Sequence, residues 1–173
     1  MLKSAAICLR PWQDSDLPTL TELRNDVALQ AQLLARARGS RPEQVREWLQ
    51  GRSSQSDRML FIIAETQDDK TLGFIQLSDL DTVDRRADLG ICLTVQARGR
   101  GVGGEAITLF TDYLRDQWGL HKVGLRVRSD NTAALRCYEK VGFARCGLLK
   151  RHVFIEGYWQ DVVLMEHFLT VAE

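Results

Sequence analysis

Residues 96–106, QARGRGVGGEA, place four glycines and two arginines between a strand-like run and a helix-like run. The run before them, ADLGICLTV at 87–95, has an apolar residue at every odd position, as a half-buried strand does. The run after them repeats apolar residues at helical spacing from Ala106 to Trp118, and Gly119 ends it. A strand, a glycine loop and a helix in this order direct several backbone N–H groups toward one point. The stretch therefore predicts a binding loop for a large anion such as a pyrophosphate.

The rest of the chain alternates between strand patterns and helix patterns. A helix is predicted from a cap at Asp14 to about Leu34, and a second helix follows the break at Gly39 and Pro42. Further helices are predicted over 102–118 and 131–140. Strands are predicted at 6–10, 59–65, 72–80, 87–95, 122–128, 143–151 and 160–168. The order β-α-α-β-β-β-α-β-α-β-β predicts a mixed α/β or α+β sheet with helices on its faces, in one domain over residues 1–173.

Composition excludes several classes of function. The 23 Lys and Arg residues balance the 23 Asp and Glu residues, so nothing indicates a nucleic acid or an anionic membrane as partner. The longest apolar run, 59–64, is too short to span a bilayer, and no secretory signal is evident. The four cysteines lack metal-ligand spacing and indicate reduced thiols in a cytoplasmic protein. No two of the three histidines have metal-ligand spacing, so no metal is expected.

Two familiar nucleotide loops do not match the glycine stretch. A P-loop needs a Lys-Ser/Thr pair after its last glycine, and none follows here. A dinucleotide fingerprint follows the first strand of a parallel unit, whereas this loop follows what reads as an antiparallel meander. The pyrophosphate must belong to another kind of ligand.

Two motifs resemble the GNAT superfamily of CoA-dependent N-acetyltransferases. Residues 98–103, RGRGVG, match its R/Q-x-x-G-x-G/A signature, and NTAALRCYEKVGF at 131–143 is similar to its N-x-x-A-x-x-x-Y-x-K-x-G-F segment. The resemblance extends from the first strand to the final hairpin, RHVFIEGYWQDVVLM at 151–165. It implies a GNAT-like fold, with a central, mostly antiparallel sheet and helices on both faces. It also implies acetyl-CoA as co-substrate, without a metal.

The resemblance implies roles for individual residues. A backbone N–H near Leu93 would stabilise the oxyanion, and the Tyr138 hydroxyl would protonate the departing thiolate. The alternative for Tyr138 is a tyrosine that packs in the core. Asn131 would cap the next helix, contact CoA, or do both. The residues expected to hold the cofactor are Ile91, Leu93, Val95, Arg98, Gly99, Arg100, Gly101, Val102, Gly103, Gly104 and Asn131.

The general base is less well defined by the sequence. Asp88 is the acidic residue on the polar face of the central strand, where relatives often carry glutamate. A free aspartate has a pKa of about 3.9, so Asp88 would act through a water or attract the amine. An ion pair with Arg85 or Arg86 is the structural alternative. Asp79, Asp81 and Glu65 are further candidates for the base.

The acceptor is expected to be a small-molecule amine on an anionic carrier, such as an amino sugar nucleotide. Arg36, Arg38 and Arg41 suit a phosphate or carboxylate, although a solvated loop is the alternative. The segment ELRNDVALQ resembles acetyltransferases of nucleotide-linked amino sugars at Arg24 and Asn25, and Tyr158 could stack on a sugar or base. A ribosomal-protein N-terminus and spermidine are alternatives, the latter because RRAD and FIEGYWQD resemble spermidine acetyltransferases. An acetyl-CoA sensor without activity is the non-enzyme alternative, and a homodimer is compatible with the resemblance.

Overall fold

The computed structural model describes residues 1–170, which form one eight-stranded sheet and five α-helices. The strands are β1 (Leu2–Lys3), β2 (Ile7–Arg10), β3 (Met59–Glu65), β4 (Thr71–Asp81), β5 (Arg86–Leu93), β6 (Lys122–Arg128), β7 (Ala144–Ile155) and β8 (Tyr158–Phe168). The helices are α1 (Leu17–Asn25), α2 (Val27–Gln32), α3 (Pro42–Ser54), α4 (Val102–Trp118) and α5 (Thr132–Lys140).

The strand order in the sheet is β1-β2-β3-β4-β5-β6-β8-β7. The pairs are antiparallel except at the centre, where β5 and β6 run parallel. That parallel contact covers three residue pairs, from Arg86 opposite Lys122 to Asp88 opposite Gly124. The expected mixed, mostly antiparallel sheet is confirmed.

Helices cover both faces of this sheet, as the sequence predicts. On one face, α4 buries Ile107, Phe110 and Leu114 in a core that also contains Ala87 and Leu89 of β5. On the other face, α1 and α3 pack over residues that alternate with these, including Cys92 of β5. The alternation read from 87–95 is therefore real, and it separates two apolar cores.

The single helix predicted from Asp14 to Leu34 is wrong. A 3-10 turn covers Asp14–Asp16, α1 ends at Asn25, and α2 begins at Val27. The break is at Asp26, whose backbone is extended and whose carboxylate accepts a hydrogen bond from the Leu29 N–H at 2.9 Å. An aspartate that bonds a nearby N–H begins a new helix in place of continuing the old one.

Other boundaries move by a few residues. The strand predicted to reach Val95 ends at Leu93, because Val95–Ala97 form a 3-10 turn. The final hairpin is longer than predicted, and its turn narrows to residues 156–157. The short β1 was not predicted, since two residues are too few for a strand pattern.

Candidate active site

The two central strands separate beyond Asp88 and leave an opening in the sheet. Directly after β5, the Thr94 N–H donates a hydrogen bond to the Leu72 carbonyl at 2.8 Å. Thr94 and every second residue before it therefore point their backbone N–H and C=O groups toward β4. Because these directions alternate along a strand, the N–H groups of Ile91 and Leu93 point into the opening. On the other side, β6 from Leu125 onward pairs only with β8. This gap can accept an extended ligand with amide groups as an added strand.

A cavity of about 1260 Å³ lies at this opening. Its walls come from β4, β5, the glycine loop, α4, β6, α5 and the final hairpin. The predicted site residues that line it are Asp88, Ile91, Leu93, Arg98, Gly99, Gly101, Val102, Gly103, Gly104, Asn131 and Tyr138. Residues distant in sequence are thus brought to one place by the fold.

The glycine loop meets the cavity at the beginning of α4. Gly99 has φ 70° and Gly101 has φ 79°, a left-handed backbone that favours glycine. Gly101 is the N-cap of α4, so the first N–H groups of that helix have no partners within it. At Gly103 a Cβ would lie 3.3 Å from Leu93 Cδ1, so glycine lets this helix approach the end of β5. The loop fits a bound diphosphate by its free N–H groups and its helix dipole.

The two arginines of this loop lie in different places. The Arg98 side chain turns back and donates from Nη2 to the Leu93 carbonyl at 3.0 Å, which ties the loop to the strand end. Arg100 approaches Glu65 Oε1 at 3.4 Å and does not line the cavity. Val95, also expected to hold the cofactor, is 66% exposed in the 3-10 turn outside the cavity wall. Two basic residues that sequence reasoning missed, Arg136 and Lys140 on α5, do line it.

Tyr138 reaches the cavity from α5. Its ring packs edge-on against Phe143, with the centroids 5.8 Å apart. Burial raises the pKa of the Tyr138 hydroxyl above its usual value, and the neighbouring Cys137 and Cys92 add to the effect. A hydroxyl that stays protonated at neutral pH can donate a proton, as a general acid must.

Cys92 lines the same cavity but is not suited to attack an acyl group. The residue is 2% exposed, and burial raises the pKa of its thiol to about 12. The thiolate is the nucleophilic form of cysteine, and little of it exists at neutral pH under these conditions. Cys92 is therefore unsuited to form an acyl-enzyme intermediate.

Asn131 caps α5, as one of the two expected roles requires. Its side-chain oxygen accepts a hydrogen bond from the Ala134 N–H at 3.3 Å. The residue also lines the cavity, so a contact with the cofactor is compatible with the cap.

Asp88 lies exposed where the cavity meets a smaller pocket. That pocket also contains Asp79, Asp81 and Arg126. The ion pair with Arg85 or Arg86, which was the structural alternative for Asp88, does not form among the described residues. Arg86 instead contacts Asp81 at 3.5 Å and Asp84 at 3.7 Å, and Arg85 donates to the Gly119 carbonyl. Glu65 lies beside Arg100, at the other end of the glycine loop.

The residues predicted to hold the acceptor do not line this cavity. The Asn25 side chain exchanges two hydrogen bonds with the Ser40 backbone, at 2.7 and 2.8 Å, and so closes the loop after α2. Arg24 lies 4.3 Å over the Trp48 ring, and Arg38 is exposed on that loop. Tyr158 is 71% exposed at the turn of the final hairpin.

The floor of the acceptor side contains residues that sequence reasoning missed. Gln76 and Ser78 of β4 and Gly90 of β5 line the cavity, and Gln76 stands opposite Gly90 in register. A Cβ at Gly90 would lie 3.2 Å from the Gln76 amide nitrogen, so the glycine leaves room for this side chain. The alternation in 72–80 places Gln76 and Ser78 on one face of the strand, which the sequence shows. The pairing of Gln76 with Gly90 cannot be derived from the sequence, because it depends on the register between β4 and β5.

Two negative findings concern residues 1–170. No group of three or more His, Cys, Asp or Glu side chains there has the arrangement of a metal site. None of the helices in the same range combines the length and apolar character needed to cross a membrane.

Comparison with known proteins identifies the family. A family model described as an acetyltransferase (GNAT) domain matches residues 6–144. The spermidine N(1)-acetyltransferase of Vibrio cholerae is 29% identical over 117 residues, which is 65% of this chain and 67% of that protein. The spermidine N(1)-acetyltransferase of Escherichia coli K12 is 31% identical over 98 residues, 57% of this chain and 53% of that protein. These alignments span from about half to two thirds of the relatives' length.

A solved structure extends the similarity in fold over almost the whole chain. The spermidine N-acetyltransferase of Vibrio cholerae in complex with CoA and spermine superposes with a TM-score of 0.88 at 23% identity, covering 96% of this chain and 97% of that one. The GNAT resemblance inferred from the two motifs is confirmed. The chain belongs to the GNAT family of N-acetyltransferases, whose members use acetyl-CoA as co-substrate.

Proposed function

We propose that the protein transfers the acetyl group of acetyl-CoA to a primary amine of a small molecule, by direct attack within a ternary complex. The supporting observation is one cavity that joins the separated strands β5 and β6, the glycine loop and Tyr138. Family membership supports the same reaction.

The chain's own groups suit each part of this reaction. The backbone of Ile91 pairs with an amide group of the cofactor's extended arm, and the N–H groups at 99–104 bind its diphosphate. Acetyl-CoA supplies an acetyl group activated as a thioester. The Leu93 N–H stabilises negative charge on the reacting carbonyl oxygen, an effect typically worth about 3 kcal/mol. Tyr138 donates the proton to the departing sulfur.

Asp88 is the proposed acceptor of the amine's proton, through a water molecule. The Asp88 carboxylate lies exposed beside the separated strands, and neither Arg85 nor Arg86 forms an ion pair with it. An Asp88→Asn variant is expected to lower kcat most strongly at low pH, where more of the amine is protonated. Equal kcat values for wild type and variant from pH 6 to 9 would remove Asp88 from this role.

Different observations support two classes of acceptor. The relatives described above are spermidine N-acetyltransferases, which favours a polyamine. The exposed arginines of the loop after α2, Arg36, Arg38 and Arg41, favour an anionic amine, such as an amino sugar nucleotide. A protein N-terminus is a third candidate. A sensor without activity is less consistent with the retained hydroxyl of Tyr138 in the cavity.

The test is acetyl transfer followed by product mass, because four cysteines would interfere with a thiol dye. Acetyl-CoA is offered with spermidine, an amino sugar nucleotide panel and N-terminal peptides in parallel. Acetylated product from one class is expected, and it identifies the acceptor. Acetyl-CoA binding without product from any class would contradict the proposed activity and favour the sensor.

The same proposal includes a single domain over 1–173, a cytoplasmic location and a homodimer. Light scattering on the purified protein tests the dimer, with a mass of twice 19.6 kDa expected. A monomeric mass would contradict it.

A further inference from the structure

One polar side chain in the cavity has a buried atom without a hydrogen-bond partner. Of the three such atoms among residues 1–170, only Gln76 Oε1 belongs to a residue that lines the cavity. Leu60 stands opposite Gln76 on β3, and Phe74 precedes it on the same face of β4. Both of these side chains are apolar and buried, so neither offers Oε1 a donor. A buried carbonyl oxygen without a donor destabilises the fold, and it is therefore expected to have a role in binding or catalysis.

The amide group of Gln76 extends from β4 over Gly90 of β5. A Cβ at Gly90 would lie 3.2 Å from Nε2 and 3.4 Å from Cγ of Gln76, so the glycine leaves the space that the amide occupies. Asp88 extends over β6 in a similar way, because a Cβ at Gly124 would lie 3.2 Å from Asp88 Oδ1. Both polar side chains are therefore inclined toward the side of the sheet where β5 and β6 separate. We refer to the space over Gly90, bordered by Gln76, Asp88 and Cys92, as the Gly90 recess.

The Gly90 recess lies between the two ends of the proposed reaction. Gly90 follows Asp88, the proposed proton acceptor, by two residues and precedes Leu93, the proposed oxyanion donor, by three. A strand rises about 3.3 Å per residue, so these residues stand about 7 Å and about 10 Å from Gly90 along the strand direction. An amine that attacks the acyl group beside Leu93 and delivers a proton toward Asp88 occupies this interval. Its nitrogen therefore comes within reach of the Gln76 amide.

The chemistry of the attack decides which atom of this amide is used. The lone pair of the amine must point to the acetyl carbon, so only its N–H groups are available for hydrogen bonds. These require an acceptor, which in the Gln76 side chain is Oε1. Among the described residues no hydrogen bond fixes Oε1, so a half-turn about χ3 exchanges Oε1 and Nε2 over Gly90 with little steric change.

We propose that Gln76 positions the acceptor in the ternary complex, by accepting at Oε1 a hydrogen bond from one N–H of the attacking amine. The amine nitrogen forms a bond to the acetyl carbon, the carbon–sulfur bond breaks, and the sulfur takes the proton of Tyr138. Another proton of the amine passes through water to Asp88, whereas the N–H held by Gln76 remains in the amide product.

This inference rests on the proposed acetyl transfer and adds a specificity to it. A neutral primary amine has one N–H to keep and one to lose. An N-methyl amine has one N–H, which it must lose, so it cannot keep the hydrogen bond to Gln76. Primary amines are therefore preferred to N-methyl amines.

The first experiment tests whether the Gln76 amide lacks a structural partner, and it requires no acceptor. Gln76→Met keeps the length of the side chain and removes the amide. The midpoint of urea unfolding should rise by about 0.5 M, because an unpartnered polar group is removed from the interior. Gln30→Met is the matched control and should have a lower midpoint, since buried Gln30 donates from Nε2 to the Leu23 carbonyl at 2.9 Å. A midpoint of Gln76→Met below the wild-type value would mean that the amide is bonded within the fold, and would overturn the proposal.

The second experiment measures binding of a small amine without turnover. The protein is saturated with CoA and titrated with n-propylamine, whose bound fraction is followed by saturation-transfer NMR. Affinity for the amine should fall by about fivefold to tenfold in Gln76→Met, because one hydrogen bond is lost. Gln76→Glu keeps an acceptor oxygen at the same reach and should restore most of this affinity. The affinity for CoA should stay within about twofold in both variants. No binding to the wild type, or equal affinities in the wild type and Gln76→Met, would overturn the proposal.

The third experiment measures selectivity in turnover with a matched pair of amines. Acetyl-CoA is offered with n-propylamine or with N-methylpropylamine, and product mass is followed. The wild-type kcat/KM should be higher for the primary amine by about tenfold, and Gln76→Met should reduce this ratio to about threefold or less. The same ratio in both proteins would assign the preference to another residue and overturn the proposal.

The outcomes separate this proposal from the proposed function. Binding of n-propylamine that depends on Gln76, without acetylation of any amine, would support the positioning role and contradict the activity. Acetylation of n-propylamine with the same kcat/KM and the same selectivity in Gln76→Met would support the activity and overturn the role of Gln76.

Discussion

Replacing Tyr138 with phenylalanine tests the chemistry of the cavity most directly. The change Tyr138→Phe removes one hydroxyl group and keeps the ring, including its edge-on contact with Phe143 at 5.8 Å. Stability should therefore change little, and the expected loss is in turnover. General acids contribute about 10²–10⁴-fold, and a thiolate is a good leaving group. A decrease in kcat of about 100-fold is expected, equivalent to about 2.7 kcal/mol.

The assay measures kcat and the affinity for acetyl-CoA separately, by product mass and by equilibrium titration. The affinity should stay within about twofold, because the glycine loop and the β5 edge are unchanged. Tyr113→Phe is the matched control. Tyr113 of α4 packs against Phe61 of β3 and does not line the cavity. An unchanged kcat in Tyr138→Phe, or a loss explained fully by weaker acetyl-CoA binding, would refute the general-acid role.

The pH dependence gives a second test of Tyr138. Its neutral form is the protonated one, and burial raises the pKa of the hydroxyl above its usual value of about 10. The wild-type kcat should therefore show no loss from tyrosine ionisation up to about pH 10. The folded state also binds this proton more tightly than the unfolded state does. Tyr138 should thus have no effect on the slope of stability below pH 10, and should lower stability as the pH rises above it. An alkaline loss of kcat below pH 9 that disappears in Tyr138→Phe would contradict the raised pKa.

Three further changes test the framework around the site. Gly101→Val should weaken acetyl-CoA binding by about tenfold or more, because φ 79° is strained for a β-branched residue; unchanged affinity in a titration would remove this loop from the site. Gly73→Ala should lower the free energy of unfolding in urea by about 3 kcal/mol or more, because its Cβ would lie 2.0 Å from the Cys92 carbonyl oxygen. Gly51→Ala, in open space on α3, is its control, and equal midpoints would contradict the clash. Asp16→Asn should lower the free energy of unfolding by about 3–5 kcal/mol, since the fully buried Asp16 pairs with Arg10 at 2.9 Å. A urea denaturation curve equal to that of Asp14→Asn, a change at an exposed site, would contradict a stabilising role of this buried pair.

Features with a local cause could be predicted well from the sequence. Alternation over 87–93 identifies β5 because successive side chains of a strand point to opposite faces. Gly119 ends α4 because a left-handed residue closes a helix, and here it has φ 63°. Asn131 caps α5 because its short side chain reaches a nearby N–H. Each of these features depends only on residues that lie close together in the sequence.

The break at Asp26 shows where a local pattern is insufficient. The leucines of 17–23 and Val27 follow helical spacing, yet Val27 is 72% exposed. An aspartate can continue a helix or cap a new one, and the packing of α1 and α2 decides between these. The spacing of apolar residues alone therefore does not predict whether Asp26 continues α1 or begins α2.

The sequence by itself determined the family, most of the strands and helices, the glycine loop and the helix that contains Tyr138, because short motifs encode backbone conformation directly. Only the tertiary structure decided that β5 and β6 separate after Asp88 and that Gln76 faces Gly90. The physical reason is that strand register and helix packing join residues far apart in the chain. The binding loop could thus be predicted from the sequence, whereas the environment of the acceptor required the fold.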